Sequence, residues 1–199
     1  EVSGEVIGTV ILDAGHGGSD VGCNKDDIYE KDINLRYVQE IGNYLMKNSI
    51  QVYYTRKDDS RLADEQNADL QARCNIGQKY KADFFISIHI NSHDTEADVS
   101  GFEVYYSDND ENSYTLATNV SNSMEELNYS RNRGVLEGNS LYVIRNNLVS
   151  PILIELGYIN SADLNYLLDD SKTEKLSHHI AEGIIKTIKR IGFYLLQIQ

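Results

Sequence analysis

The sequence predicts an α/β fold, a single domain around a central, mostly parallel (mixed) sheet of about six strands with helices on both faces. Three observations point there. Short apolar runs alternate with stretches whose apolar residues recur at helical spacing. Several of the short runs are continuously apolar, as strands covered on both faces must be. The chain has 199 residues, 41% of them hydrophobic, enough for one domain with a proper core.

Taken in order, Val6–Leu12 is the first strand, stopping abruptly at a glycine-rich stretch. Leu35, Val38, Ile41 and Leu45 then recur at helical spacing within Glu30–Lys47, the first helix. Ile50–Thr55 is the second strand. Asp64–Lys81 reads as a helix of fainter pattern, with Ala68, Cys74 and Ile76 among charged neighbours. Asp83–His89 is the third strand. Gly101–Tyr106 follows it after only a polar loop, which predicts one antiparallel pairing at an edge of the sheet. Leu116, Val120, Met124 and Leu127 mark another helix. Leu141–Ile144 and Pro151–Glu155 are the last strands, and the only proline opens one of them, where a sheet tolerates it. Leu176, Ile180, Ile184 and Ile188 mark the final helix. With no internal repeat, low-complexity segment or linker, the expectation is one domain over 1–199 with its core at about 6–190.

Charge limits the partners. Eighteen Lys and Arg against 31 Asp and Glu give a formal net charge of -13, which disfavours nucleic acid and anionic membrane surfaces. Between Lys81 and Arg131 there is no cationic side chain, while acids run from Asp83 through Asp94, Glu96, Asp98, Glu103, Asp108, Asp110 and Glu111 to Glu125 and Glu126. This reads as a solvated acidic face rather than a docking surface. Cys23 and Cys74 match no zinc-cysteine spacing and no disulfide framework. Both read as small apolar fillers, with a reactive thiol the alternative for Cys23. No run is long enough to span a membrane, and Glu1–Gly4 shows no signal-peptide pattern. A mature or trimmed chain would lack that pattern too, so the absence does not place the protein in the cytoplasm.

The chemistry collects where the strands end. In "LDAGHGGSDVG", Leu12–Gly22, His16 stands among Gly15, Gly17 and Gly18. A phosphate cradle is excluded: the Lys-Ser/Thr ending is missing, and Asp20 stands where G-x-G-x-x-G begun at Gly15 needs its last glycine. What remains is a ligand or catalytic histidine, or a plain turn. Ligands of open α/β sheets bind beyond the carboxyl ends of the strands. His89 stands at such an end, in "ADFFISIHIN", with Asn91 and His93 just beyond, and Glu155 closes the apolar run of "SPILIELGY". A carboxylate there tends to be desolvated, and a desolvated acid needs a partner or a task. Each residue has a plain reading by itself: a turn residue, a hydrogen-bonded core histidine, a buried ion-pair member. Their coincidence on one rim favours a site. Glu30 opens the first helix in "IYEKDINLRYV", where its carboxylate either complements the helix dipole or stays ionised as a metal ligand must. Two imidazoles and one carboxylate with an open fourth position make a catalytic zinc site, leaving Glu155 to handle protons. His178 and His179, near Lys172 and Lys175, read as surface residues. His93 reads as solvent-facing, with a spare ligand as the alternative.

The same segments, in the same order, resemble the zinc-dependent N-acetylmuramoyl-L-alanine amidases of the amidase-3 type, enzymes that cut peptidoglycan. "ILDAGHGGSDVG" is similar to their opening strand and histidine loop and "YEKDINL" to their glutamate segment. "VYYTRKDD", "LQARCNIGQKYKADFFISIHIN", "GFEVYY", "RGVLEGNSLYVIRN" and "SPILIELGYINSADLNYLL" complete the series from about Val6 to Arg190. The resemblance implies one Zn2+ held by His16, Glu30 and His89, a catalytic Glu155, and hydrolysis of the amide joining muramic acid's lactyl group to L-alanine. It also implies action outside the cytoplasm, in the wall or after secretion, or on release as a phage endolysin. Asn91 is expected either to contact substrate and orient the site or only to cap the backbone.

Departures from the family are small. Ala14 replaces a frequent proline and Cys23 a frequent alanine. Some relatives carry a helix that plugs the site until a partner removes it. Only a short acidic stretch with one helix lies between Tyr106 and Gly134, which leaves little room for one. Without a recognisable wall-binding repeat, the chain reads as a bare catalytic domain or a fragment of something longer. Two alternatives stand beside hydrolysis of the muramoyl amide. One is a non-hydrolysing module that binds peptidoglycan or docks a regulatory partner, which would have no use for Glu155; the other is a zinc peptidase acting on the stem peptide.

Overall fold

The structure, a computed structural model, describes residues 5–93 and 99–197, with side chains followed as far as 192. Glu1–Gly4 and the acidic Asp94, Glu96 and Asp98 lie outside the described residues. Largely apolar runs at positions 10–14, 84–90 and 152–156, interrupted by Asp13, Ser87, His89 and Glu155, make three central strands that are covered on both faces. In chain order the elements are β1 (Gly8–Ala14), β2 (Asn24–Lys25), β3 (Ile28–Tyr29), α1 (Glu30–Lys47), β4 (Ile50–Tyr54), α2 (Gln66–Lys79) and β5 (Phe84–Asn91). They continue with β6 (Phe102–Tyr106), α3 (Glu111–Glu125), β7 (Asn132–Glu137), α4 (Tyr142–Arg145), β8 (Ser150–Tyr158), α5 (Asp163–Leu168) and α6 (Asp170–Gln197).

Six strands form one sheet in the order β4-β1-β5-β8-β6-β7, and β2 and β3 form a small antiparallel ladder just before α1. β4, β1, β5 and β8 run parallel; β6 is antiparallel to β8, and β7 is parallel to β6. The fold is therefore the expected single α/β domain on a mixed, mostly parallel sheet. Three details differ from the sequence reading. Leu141–Ile144 is not a strand: Tyr142–Arg145 forms one helical turn, because Val143 and Ile144 bury together against a neighbouring face while the amides of Ile144 and Arg145 bond back to Leu141. The missing strand is Asn132–Glu137, whose polar NRGVLE carries no apolar alternation because, at the edge, it pairs on one side only. The antiparallel strand also pairs with β8 rather than with its predecessor β5, and β7 covers it from the edge.

Side chains alternate across the sheet, and the two faces are unequal. On one, Val10, Leu12, Ile86, Ile88, Ile152 and Ile154 pack under α1, α3 and α6 in the main core. Its helices were legible because each buries a regular stripe, such as Ile33, Tyr37, Val38, Ile41 and Leu45 in α1. Asp110 caps α3, its side chain accepting from the amides of Asn112 and Ser113. The opposite face holds a small cluster of Ile11, Phe85 and Leu153 under α2 and α4. There α2 buries Asp69, Arg73, Cys74 and Gly77, hence its faint apolar pattern. Among the described residues no helix is long and apolar enough to cross a membrane.

The thin face is polar at its centre. Asp13 on β1 is 1% exposed and accepts from Arg73 Nη1 at 2.8 Å, Ser87 Oγ at 2.6 Å and Thr55 Oγ1 at 2.7 Å. Burial alone would raise the Asp13 carboxyl, but Arg73 and the two hydroxyls outweigh it and hold the carboxyl below its usual range. Asp13→Ala is therefore expected to destabilise the domain by about 3–5 kcal/mol in urea denaturation, because Arg73 loses a buried counter-charge. A carboxyl lowered in the folded state contributes stability above its unfolded pKa of about 3.9 and loses that contribution as pH falls through the folded value. The stability gap between wild type and Asp13→Asn should accordingly be full at neutral pH and narrow below about pH 4.

Candidate metal centre

The site is built where β1 ends and the chain turns through Gly15–Gly22. His16 adopts φ 62°, in the left-handed region that a residue with a Cβ rarely enters. Two neighbouring glycines are glycine for want of space. A Cβ on Gly15 would stand 2.2 Å from Cε1 of His89, and one on Gly22 would stand 2.4 Å from Oε2 of Glu30. The bare backbone lets the second histidine and the carboxylate close on His16.

Two buried arginines, whose role the sequence reading missed, fix this turn. Arg73 donates from Nη1 to the Ala14 carbonyl and from Nη2 to the His16 carbonyl, both at 2.8 Å. Arg56 donates from Nε to the Ala14 carbonyl at 3.0 Å and from Nη2 to those of Gly15 at 3.1 Å and Lys31 at 2.7 Å. The available signal was an arginine inside the buried face of a helix (Arg73) and one directly after a strand (Arg56).

Glu30, the first residue of α1, is 4% exposed and stands between the histidines. Its Oε2 lies 3.2 Å from His16 Nε2 and accepts from the Cys23 amide at 2.9 Å. Its Oε1 lies 2.9 Å from His89 Nδ1 and accepts from the Ile90 amide at 3.2 Å and from Asn34 Nδ2 at 3.3 Å. Burial works against its charge, but the two imidazoles win and hold the carboxyl far below the usual carboxylate range. For His16, burial lowers the pKa while Glu30 and then Asp20 raise it, leaving it at about 9. On the outer side Asp20 Oδ1 lies 3.0 Å from His16 Nδ1, so a carboxylate orients the ring and Nε2 faces Glu30.

One ligand atom from each of His16, Glu30 and His89 lies within 4.8 Å of the others, and the trio is the one such group among the described residues. The residues fit a metal ion. Two imidazoles and an ionised carboxylate are the donor types a divalent transition metal takes, and their atoms converge from three separate elements.

Glu155 completes the rim. It pairs in register with His89 across β5 and β8, so the two side chains share the thin face of the sheet. Burial chiefly, helped by Glu30 and Glu103, pushes its carboxyl up to about 7 against the opposing pull of His89 and His16. Its Oε2 is buried with no hydrogen-bond partner among the described residues. A cavity of about 160 Å³ opens beside His16 and His89, walled by Leu70, Leu141, Val143 and Leu153.

The other candidates separate cleanly. Asn91 accepts from the Ser92 amide at 2.8 Å and donates to the Tyr158 hydroxyl at 3.4 Å, so it caps the backbone and reaches one neighbour. His93 lies outside the trio, its amide donating to Asn160. His178 packs against Tyr44, and His179 Nδ1 lies 2.8 Å from the Ser123 carbonyl, both partly exposed on α6. The Cys23 thiol donates to the Ile90 carbonyl at 3.2 Å and is pushed well up by burial and Glu30, which makes it a filler and not a reactive thiol. The helix between Tyr106 and Gly134 is α3, which buries Leu116, Val120 and Met124 on the opposite face of the sheet from His89 and Glu155. Glu103 on β6 corrects the reading of a solvated acidic face: it is 5% exposed, in register with Glu155 and bonded to Tyr105, Arg133 and Tyr158.

Comparison with known proteins agrees with this fold. The chain is 35% identical over 179 residues to the uncharacterized protein YqiI of Bacillus subtilis, covering 88% of this chain and 82% of YqiI. It is 32% identical over 181 residues to the protein named probable cell wall amidase LytH of Staphylococcus aureus, covering 88% of this chain but only 57% of the length of LytH. The structure of the CwlD amidase from Clostridioides difficile, solved in complex with the GerS lipoprotein, superposes with a TM-score of 0.84 at 30% identity, covering 92% of this chain and 98% of that one. The amidase-3 sequence profile, described as N-acetylmuramoyl-L-alanine amidase, matches residues 10–186, nearly the whole described fold and every residue of the rim, and the chain belongs to that family.

Proposed function

We propose that His16, Glu30 and His89 hold one zinc ion and that Glu155 carries protons while this amidase hydrolyses the bond between N-acetylmuramic acid and L-alanine in peptidoglycan. The observation that carries the reading is one rim on which three ligand atoms converge and a fourth acidic group, in register with His89, keeps a buried oxygen without a partner. When bound, zinc supplies Lewis acidity to the amide carbonyl and to water.

The protein's part follows from its own residues. Glu30 stays ionised under two imidazoles and so stands ready as an anionic ligand. Asp20 and the arginine-held turn fix the direction of the His16 ring. Glu155, with a carboxyl near 7, is suited both to take a proton and to return it. It accepts a proton from the attacking water and delivers it to the alanine nitrogen as the C–N bond breaks. Hydroxyl remains on the lactyl carbonyl carbon, so the products are a lactyl carboxylate and a free peptide amine. Asn91, through Tyr158, orients the rim and has no direct role in proton transfer.

A binding module would have no use for a buried Glu155 whose Oε2 has no partner among the described residues. The domain spanning residues 1–199 is read as catalytic throughout, and the relative named probable cell wall amidase supports action outside the cytoplasm. The CwlD–GerS pair supports a protein partner for this chain as well.

Elemental analysis of protein equilibrated with zinc at neutral pH should find one ion per chain, and His89→Ala should lose both the ion and activity, since two protein ligands remain. Glu155→Ala should keep the ion and the fold while hydrolysis falls about 10²–10⁴-fold, and Glu155→Gln should be nearly as damaging. Loss of the metal in Glu155→Ala would make that residue a ligand instead. Mass spectrometry of digested peptidoglycan should show free L-alanine amino termini on intact glycan; cleavage within the stem would mean a peptidase, and no product a binding module.

A further inference from the structure

Beyond Glu155 the site continues into a feature that metal binding and proton transfer do not use. His89, Glu155 and Glu103 lie in register across β5, β8 and β6, so they form one row on one face. Neighbouring strands stand about 4.8 Å apart, which puts Glu103 about 5 Å past Glu155 and roughly 10 Å from His89. Glu103 is 5% exposed and fully engaged: Tyr105 donates to its Oε2 at 2.7 Å, and Arg133 Nε donates to its Oε1 at 2.5 Å. Tyr158 donates to that same Oε1 at 3.4 Å.

Arg133 is the outward member of this group. Its side chain is 32% exposed, and its guanidinium carbon lies 5.4 Å from the centre of the Tyr158 ring. Nη1 makes one long bond, 3.4 Å, to the Ser100 carbonyl, and Nη2 makes none among the described residues. A guanidinium offers five N–H groups in a planar fork suited to a carboxylate. Here Glu103 consumes Nε and orients the plane, leaving the terminal nitrogens for a second partner. Between Lys81 and Arg131 the chain has no Lys or Arg, and Arg133 is the cation that pairs with Glu103.

We propose that Arg133, held by Glu103, is a carboxylate-binding subsite for the stem-peptide residue that follows L-alanine. This rests on the amidase reading above. Two extended residues span up to about 7 Å. That length carries the chain from an amide poised beside Glu155 past L-alanine to a carboxylate at the position of Arg133.

The test compares two soluble N-acetylmuramyl dipeptides that differ only in a free carboxylate or a carboxamide on the second residue, with zinc-loaded wild type, Arg133→Gln and Arg133→Lys. Arg133→Gln should raise KM for the carboxylate form about ten- to a hundred-fold, leave its kcat within about three-fold, and barely change KM for the carboxamide. Arg133→Lys should recover part of the loss by keeping the charge without the fork. Equal losses on both substrates, or a loss confined to kcat, would reduce Arg133 to a structural clamp and overturn the proposal, as would no change at all. Calorimetric binding of the two corresponding free dipeptides is read in parallel. If wild type cleaves neither substrate, the amidase reading falls, while a carboxylate preference of at least ten-fold that Arg133→Gln abolishes still upholds the subsite and equal affinities overturn it.

Discussion

The structure depends on a small number of hydrogen bonds that two buried guanidiniums make to backbone carbonyls. Arg56 and Arg73 together take up the carbonyls of Ala14, Gly15 and His16 at the end of β1. Buried carbonyls in an irregular turn have no ladder to join, and leaving them unpaired is costly. The charge of Arg73 is balanced by Asp13 and Asp69 on the thin face. With those carbonyls held, His16 keeps a left-handed backbone that a free turn would relax, and its ring stays against Glu30. A backbone strained at one residue and pinned on either side is a natural device for presenting a ligand without searching.

The inequality of the two faces explains why the site lies where it does. Three long helices bury the apolar side of the sheet, and that core supplies most of the hydrophobic stabilisation. The other side is covered by α2 and by the single turn of α4, so it can accommodate Asp13, Ser87, His89, Glu155 and Glu103 on successive strands. Charged groups there are costly in isolation, and the pKa values of the rim's two carboxyls move in opposite directions, Glu30 down under its two imidazoles and Glu155 up through burial. Two carboxylates on one rim thereby come to suit different tasks.

Most of this was legible in the sequence, and the exceptions share a cause. β1, β5, β8, α1 and α6 announce themselves by apolar runs or helical stripes, because each buries a wide surface. His16, Glu30, His89 and Glu155 could be placed on one rim because His16 follows β1, Glu30 opens α1, and His89 and Glu155 lie toward the carboxyl ends of the parallel strands β5 and β8, which stand together. β7 and α4 were misread because neither owes its form to its own pattern. NRGVLE becomes a strand by pairing with β6, and the apolar Leu141–Ile144 turns helical through local amide bonds and burial against the thin face. Arg56, Arg73 and Glu103 stayed hidden for a related reason. Apart from the short-range pairs of Arg73 with Asp69 and Glu103 with Tyr105, their partners are backbone carbonyls or residues 30 or more positions away, and those leave no spacing to read.

The irregular pairing of β7 bears on how the protein behaves in a crowded suspension. An open sheet edge invites strands from other molecules, and natural proteins protect such edges with charge and interrupted pairing. β7 has both protections: its register with β6 shifts between Phe102 and Val104, and it carries Arg133, Gly134 and Glu137. The kink that turns Arg133 toward Glu103 thus also spoils the outer edge as a template, so smoothing this strand in an engineered variant would invite self-association and fibre-like growth.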